Sequence, residues 1–243
     1  MTNQEGPANG LDKRPEVVER MFDRITPTYD RLNRMMSLTT DRGWRAKALW
    51  ELAAERSDVV LDVATGTGDM ALQAVRTSGC RVVGLDLSRN MLVSAVAKWD
   101  RERNDSPYPA VQGNALALPF RDGAFDGAMV AFGIRNMPNV GTFLDEACRV
   151  LRPGGRLVML ELSVPSNPLL RPIFLFHLTR MLPWMARTQG GDAAAYRYLS
   201  DSILAFPPPR EIMALAESKG FRQLSSTALT MGACHLYVLQ KDG

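Results

Sequence analysis

Leu61-Asp62-Val63-Ala64-Thr65-Gly66-Thr67-Gly68-Asp69 decides the fold. A short apolar run, Val59 to Val63, stops at a glycine-rich turn, and helical character resumes from Met70 to Arg76. Glycine lets a turn take positive φ and bring its backbone close to a ligand. The next apolar run, Arg81-Val82-Val83-Gly84-Leu85-Asp86, ends on a carboxylate, and Ser88 is placed to cap a helix running to Arg103. Asn104 to Pro109 is a polar loop, followed by strands Ala110 to Gln112 and Ala124 to Phe132. Asn139 to Leu151 is helical, and Pro153-Gly154-Gly155 turns the chain into a strand from Arg156 to Glu161. Strands that alternate with helices at this spacing form a parallel sheet, and strands apolar on both faces require helices on both. Upstream, Pro15 to Ile25 and Asp41 to Ala54 read as helices, with Val18, Met21, Phe22 and Ile25 on one face of the first. Downstream, a helix from Glu211 to Lys219 stops at Gly220. Gln223 to Ala228 and Cys234 to Gln240 then follow with no helix between them, which predicts an antiparallel hairpin at the sheet edge.

A chain of 243 residues, 46% hydrophobic and 23% charged, suits one domain with a full core. Residues 1–14 are expected to be a frayed tail and 15–243 a single domain, with 15–56 as an N-terminal helical cap. A net charge of +3 without a basic block argues against a nucleic-acid partner. Cys80, Cys148 and Cys234 are far apart and odd in number, so free thiols in a reducing compartment are expected. His177 and His235 do not combine with them at any metal-site spacing, and no metal is expected. The polar N-terminus lacks a secretory apolar stretch, and no apolar run reaches the roughly 18 residues a span needs. A cytoplasmic protein is the expectation.

In an open α/β sheet a ligand sits beyond the carboxyl ends of the strands. Gly66, Thr67 and Gly68 supply the turn there, and Asp86, with Leu87 beside it, can accept both hydroxyls of a ribose. Gly66, Gly68 and Ala71 also satisfy a dinucleotide fingerprint, so an NAD(P)-dependent oxidoreductase is an alternative. Asp62 weighs towards S-adenosyl-L-methionine: its carboxylate can hold a cationic aminoacyl group, whereas a pyrophosphate disfavours negative charge. Gly113-Asn114-Ala115 is placed for an adenine. The competing readings of Asp62 and Asp86 are as caps of the helices that follow them.

These segments, with Leu118-Pro119-Phe120, Asp122, Phe125-Asp126 and Arg152-Pro153-Gly154-Gly155-Arg156-Leu157, resemble the class I methyltransferase motifs in order and spacing. The resemblance implies a Rossmann-like, seven-stranded, mostly parallel α/β sheet. The flanks narrow it. Tyr29-Asp30-Arg31-Leu32-Asn33-Arg34-Met35-Met36-Ser37 with Arg42-Gly43-Trp44-Arg45, Phe132-Gly133-Ile134-Arg135-Asn136, and Tyr196-Arg197-Tyr198-Leu199 resemble the UbiE/COQ5 quinone-biosynthesis family over about residues 16 to 241. Two departures stand out. Thr39-Thr40-Asp41-Arg42 replaces the family's usual Gly-x-His-Arg, and Ala131, expected at the cofactor, stands where a serine often precedes Phe-Gly. The glycine-loop wording is closer to menaquinone-pathway members.

The resemblance implies C-methylation of a prenylated quinol with S-adenosyl-L-methionine, on demethylmenaquinol or on the benzoquinol precursor of ubiquinone. A quinol carbon becomes nucleophilic as the adjacent hydroxyl loses its proton. Arg135 is the expected phenolate partner, Asn136 orients the ring, and Tyr29 closes over the reactants or relays a proton. Competing readings are an ion pair for Arg135 and packing for Tyr29. Tyr196, Arg197 and Tyr198 are expected in the substrate cavity, and residues 165–208 as a substrate lid. Within the lid, 169–185 is apolar with Arg171, Arg180 and Trp184, which suits transient contact with the inner face of a membrane. His177 is expected to be a core histidine. A methyltransferase for a different small acceptor and a non-catalytic cofactor-binding scaffold remain compatible with the same motifs, and a homodimer is left open.

Overall fold

The structure is a computed structural model that describes residues 11–30, 33, 37, 39–102, 106–181, 184 and 193–243. Residues 1–10 of the expected tail, 182, 183 and 185–192 of the expected lid, and 31, 32 and 34–36 of the Tyr29–Ser37 motif lie outside that set. Strands β1 (Val59–Val63), β2 (Arg81–Asp86), β3 (Ala110–Gln112), β4 (Phe125–Ala131), β5 (Leu151–Leu162), β6 (Phe221–Leu229) and β7 (Cys234–Lys241) form one seven-stranded sheet in the order β3-β2-β1-β4-β5-β7-β6. Pairing is parallel from β3 through β5 and antiparallel on both sides of β7. The order reverses after β1, and β4 lies on its other side. This is the switch point where an α/β sheet opens a crevice for a ligand.

Helices α1 (Pro15–Ile25), α2 (Asp41–Leu52), α3 (Asp69–Ser78), α4 (Arg89–Arg101), α5 (Val140–Val150), α6 (Leu170–Phe176), α7 (Ala193–Leu204) and α8 (Pro209–Glu217) surround it. Local chemistry sets their ends. Ser88 caps α4 by accepting from the Met91 N–H at 3.2 Å, and Asn139 caps α5 by accepting from the Thr142 N–H at 3.0 Å. The two-residue strand period splits the core. Leu61, Val63, Leu157 and Met159 face the layer containing Phe143, Leu144, Ile212 and Met213. Val60, Met129, Val158 and Leu160 face Trp44, Ala48, Leu72 and Trp99.

One boundary differs from the expectation. Pro153-Gly154-Gly155 does not precede the fifth strand but bulges within it: Leu151 pairs with Phe125, and pairing resumes only at Arg156 with Gly127. A Cβ at 155 would lie 2.9 Å from the carbonyl oxygens of Arg152 and Asp126, so glycine permits the bulge.

The N-terminal cap is latched onto the sheet's carboxyl end. Asp23 accepts from the Ser88 hydroxyl at 2.6 Å, Glu19 from the Gln112 amide at 3.2 Å, and Asp30 from the Thr67 hydroxyl at 2.6 Å. Lys98 joins this last latch, reaching Asp30 at 2.7 Å and Asp69 at 2.6 Å. No helix of the described residues is long and apolar enough to cross a membrane.

Candidate active site

Three connected cavities lie under the cap. The first is a partly open cleft with about 750 Å³ of empty space, some of it continuous with solvent. Its floor is the carboxyl ends of β1, β2 and β4 (Ala64, Asp86, Leu87, Ala131), one wall is Gly113-Asn114-Ala115, and its roof is Val18, Phe22 and Tyr29. The glycine turn is held by backbone geometry: Gly66 and Gly68 have φ of +57° and +80°. Asp86 fixes this turn, accepting from the Gly66 N–H at 2.8 Å and the Ser88 N–H at 2.9 Å. Burial pushes its carboxyl up to about 6, opposed by the Ser88, Gly66 and Leu87 N–H groups.

Not every expected cofactor residue faces this cavity. Strand alternation turns Asp62 to the face of Val60, where it is 1% exposed and accepts from the Thr65 hydroxyl at 2.6 Å. Thr65 in turn bonds the Tyr108 hydroxyl at 2.7 Å, and the Ala71 N–H of the first turn of α3 also favours the Asp62 carboxylate. Burial nevertheless raises it to about 7. Thr67 and Gly68 also lie off the lining: Thr67 bonds Asp30, and Gly68 packs against Ala95. The cavity fits a cationic nucleoside. Asp86 offers carboxylate oxygens, and Phe22, Leu87, Met91, Leu116 and Met137 make an apolar slot.

The second cavity adjoins the first through Phe22, Tyr29 and Asn136, which line both. Its remaining wall includes Asn33, Arg135, Tyr196, Tyr198 and Leu199. Arg197, expected with its two tyrosines, points to solvent and lines none of the three cavities. Burial raises the pKa of the Tyr29 hydroxyl above its ordinary value, by more than the Asn33 hydrogen bond and the Arg135 charge lower it. Arg135 and Asn136 sit in a 3-10 turn, Ile134–Asn136, and both are buried. Arg135 has the ion-pair partner weighed against it from sequence, the fully buried Glu161 at 2.8 Å. Its Nε nevertheless has no partner among the described residues, nor does Asn136 Oδ1 or the Tyr198 hydroxyl. Buried polar atoms are normally satisfied, so three orphans around one cavity mark a place for a polar ligand.

A third cavity continues from the second past Asn33, Arg135 and Leu199. Trp44, Phe132, Leu162, Phe174, Leu178 and Ile203 make it almost wholly apolar. His177, expected in the core, lines it instead. Sequence reasoning missed Glu161, Asn33 and Lys13. Glu161 carried a signal: it is the one charge inside Leu157-Val158-Met159-Leu160-Glu161-Leu162. Lys13, in the stretch expected as a tail, lines the first cavity, and burial lowers its pKa.

Known proteins share this sequence pattern and this geometry. The sequence model of the ubiE/COQ5 methyltransferase family matches residues 10–241. The chain belongs to that family. It is 44% identical over 232 residues to the ubiquinone/menaquinone biosynthesis C-methyltransferase UbiE of Syntrophotalea carbinolica, covering 94% of this chain and 93% of that one. It is 40% identical to the demethylmenaquinone methyltransferase of Deinococcus radiodurans, covering 97% of each. Among solved structures, the cyclase SpnF superposes with a TM-score of 0.70 at 15% identity, covering 94% of this chain and 97% of that one. That likeness speaks to the fold alone, and the word cyclase shows that this fold does not set the reaction. Family membership sets it here: this ubiE/COQ5 chain is an S-adenosylmethionine-dependent C-methyltransferase.

Proposed function

We propose that the acceptor is a prenylated quinol, methylated at a ring carbon while its head occupies the second cavity and its tail the third. The observation that carries this reading is the set of unpartnered buried atoms, Arg135 Nε, Asn136 Oδ1 and the Tyr198 hydroxyl, beside the Tyr29–Asn136 wall shared with the first cavity. A quinol offers two ring oxygens to a donor and an acceptor. The activities for which the relatives are named, on both menaquinone and ubiquinone routes, support the same class.

Bound S-adenosylmethionine would supply a methyl group on a positively charged sulfur. Asp86 would hold the ribose hydroxyls and Asn114-Ala115 the adenine edge, with the negative charge of Asp62 acting at a distance. In the second cavity Arg135 Nε donates to one quinol oxygen and favours its phenolate, which pushes charge onto the adjacent carbon. Asn136 Oδ1 accepts from the hydroxyl across the ring, and Tyr198 completes the pocket. Tyr29, protonated, closes the roof over both reactants and keeps them in contact. The quinol hydroxyl would give its proton to water as the phenolate forms, and once the ring carbon had received the methyl group its own proton would likewise leave to water.

The third cavity suits an isoprenoid chain by its apolar lining. The outer side of the same lid supports contact with a membrane surface: Leu169, Ile173, Phe176 and Trp184 are 78%, 68%, 60% and 66% exposed, and Arg171 and Arg180 flank them. Methyl transfer from labelled S-adenosylmethionine, offered demethylmenaquinol and the demethylated benzoquinol side by side under reducing conditions, tests the acceptor. Label on a ring carbon is the expected result, and the product ratio names the route. No product on either, with cofactor binding intact, overturns the quinol reading. Replacing Ile173 and Phe176 with aspartate should abolish binding to anionic vesicles and leave turnover of a tail-less quinol intact. Unchanged vesicle binding overturns the membrane contact.

A further inference from the structure

Glu161 is the last charge before the carboxyl end of β5, and its side chain is fully buried. Strand alternation turns it to the face of Leu157 and Met159. A carboxylate in such a place costs free energy unless it is paired and hydrogen-bonded. Here it is both. It accepts from the Arg135 backbone N–H at 3.0 Å, from Arg135 Nη1 at 2.8 Å and from the Leu162 N–H at 2.9 Å. One carboxylate therefore grips the main chain and the side chain of the same arginine, with its two oxygens assigned to different jobs.

The opposite side of the turn completes the clamp. Phe132 has φ of +62°, a left-handed conformation unusual for an aromatic residue, and its carbonyl accepts from Arg135 Nη1 and, at 3.4 Å, from the Asn136 amide. Gly133 follows because a Cβ there would meet Ala64 at 2.7 Å. The strained loop directs the Phe132 carbonyl onto Arg135 and Asn136, and Glu161 holds the turn's N–H on the other side. Among the fully buried atoms, the clamp leaves Arg135 Nε and Asn136 Oδ1 unpaired.

We propose that Glu161 is a positioning residue: it fixes Arg135, through the pair of bonds to its backbone and guanidinium, so that the free donor and the neighbouring free acceptor meet the two oxygens of the acceptor ring. Glu161 lines none of the three cavities. Its effect passes through Arg135. The inference rests on the acceptor-site reading above.

Glu161→Gln keeps the size and one acceptor but presents an NH2 group to donors, so the turn loses its anchor. The expected result is a kcat for quinol methylation about 100-fold lower, with the KM for quinol and the Kd for S-adenosylmethionine, measured by calorimetry, within threefold of the parent. Glu161→Asp, which keeps the charge, should recover at least tenfold of that loss. Added to Arg135→Gln, the Glu161→Gln change should cost no further activity, because its effect is already spent. A kcat for Glu161→Gln within twofold of the parent overturns the proposal. So does a further tenfold loss on top of Arg135→Gln, or an inactive Glu161→Asp with cofactor binding lost, since each marks a merely structural carboxylate. If Arg135→Gln itself methylates quinol normally, the acceptor-site reading has failed, and the two failures are told apart.

Discussion

The first cavity takes its floor and one wall from strand ends and backbone, the Gly66 turn, Asp86 and Gly113-Asn114-Ala115, with Lys13, Glu19, Tyr29 and Asn136 around them. The second draws side chains from the cap (Tyr29, Asn33), from the turn after β4 (Arg135, Asn136) and from α7 (Tyr196, Tyr198). In the first, the floor is set by the sheet and by turn N–H groups that fix Asp86. In the second, every polar contact depends on packing between segments far apart in the chain. A cofactor site of the first kind can be shared by enzymes with different reactions, while an acceptor site of the second kind is free to change.

The comparison predicts an opposite partition of defects. The largest is at Arg135. Arg135→Gln should lower kcat by roughly 1000-fold, the scale for loss of a charged stabilising donor, and leave the S-adenosylmethionine Kd within twofold. Steady-state kinetics and calorimetry check it, and a parallel loss of cofactor affinity would break the division. Asp86→Ala should do the reverse, weakening cofactor binding about 50-fold, as for loss of charge-assisted hydrogen bonds, with kcat at saturating cofactor within threefold. Gly133→Ala lies in the first cavity's lining, just before the turn that carries Arg135, and the new Cβ would press on Ala64 at 2.7 Å and Val130 at 3.1 Å. It should damage both quantities together, by roughly tenfold each, as overpacking does.

Smaller effects come from pH. Burial raises Asp62 to about 7 and Asp86 to about 6 from the ordinary carboxylate value of 3.8. A cationic ligand needs them ionised, so its affinity should rise with pH, by up to about tenfold per unit below pH 6 for each proton released. The stability of the ligand-free protein runs the other way. The folded state holds these protons more tightly than the unfolded chain, so the contribution is fully present below about pH 4 and is lost as pH rises through about 6 and 7. Melting curves without cofactor should therefore slope less steeply between pH 5 and 7.5 in Asp62→Asn than in the parent. The smallest effect expected is at Ala131, on the floor of the first cavity. Ala131→Ser adds a hydroxyl at a position the backbone already defines, and should change the cofactor Kd by less than about threefold.

Legibility followed the same division. The strand–glycine–helix unit at Val59 to Ser78, the Ser88 cap and the C-terminal hairpin could all be read from residue type and period. So could the position of Asp86, because a residue at the end of a parallel strand has only one place to be. The outward turn of Arg197 was not legible, since three adjacent polar aromatic and basic residues on a helix point to three directions whose meaning depends on what packs there. Nor was the bulge at 152–155, because a Pro-Gly-Gly turn reads alike whether it precedes a strand or interrupts one. Asp62 was read as a ligand group from its place beside the glycines; its burial against Thr65 and Tyr108 depends on a residue 46 positions away in sequence.

The sequence by itself determined the order of strands and helices along the chain and the ligand-binding edge of the sheet, because these follow from local periodicity and glycine conformations; the kind of cofactor came with the family resemblance. Tertiary structure alone decided what the second cavity presents. Which nitrogen of Arg135 is already taken depends on Glu161, 26 residues along the chain and on another strand, and on a carbonyl turned by the left-handed backbone of Phe132. A hydrogen bond is set by distance and direction in space, and no spacing in the sequence states which of a side chain's donors will already be taken.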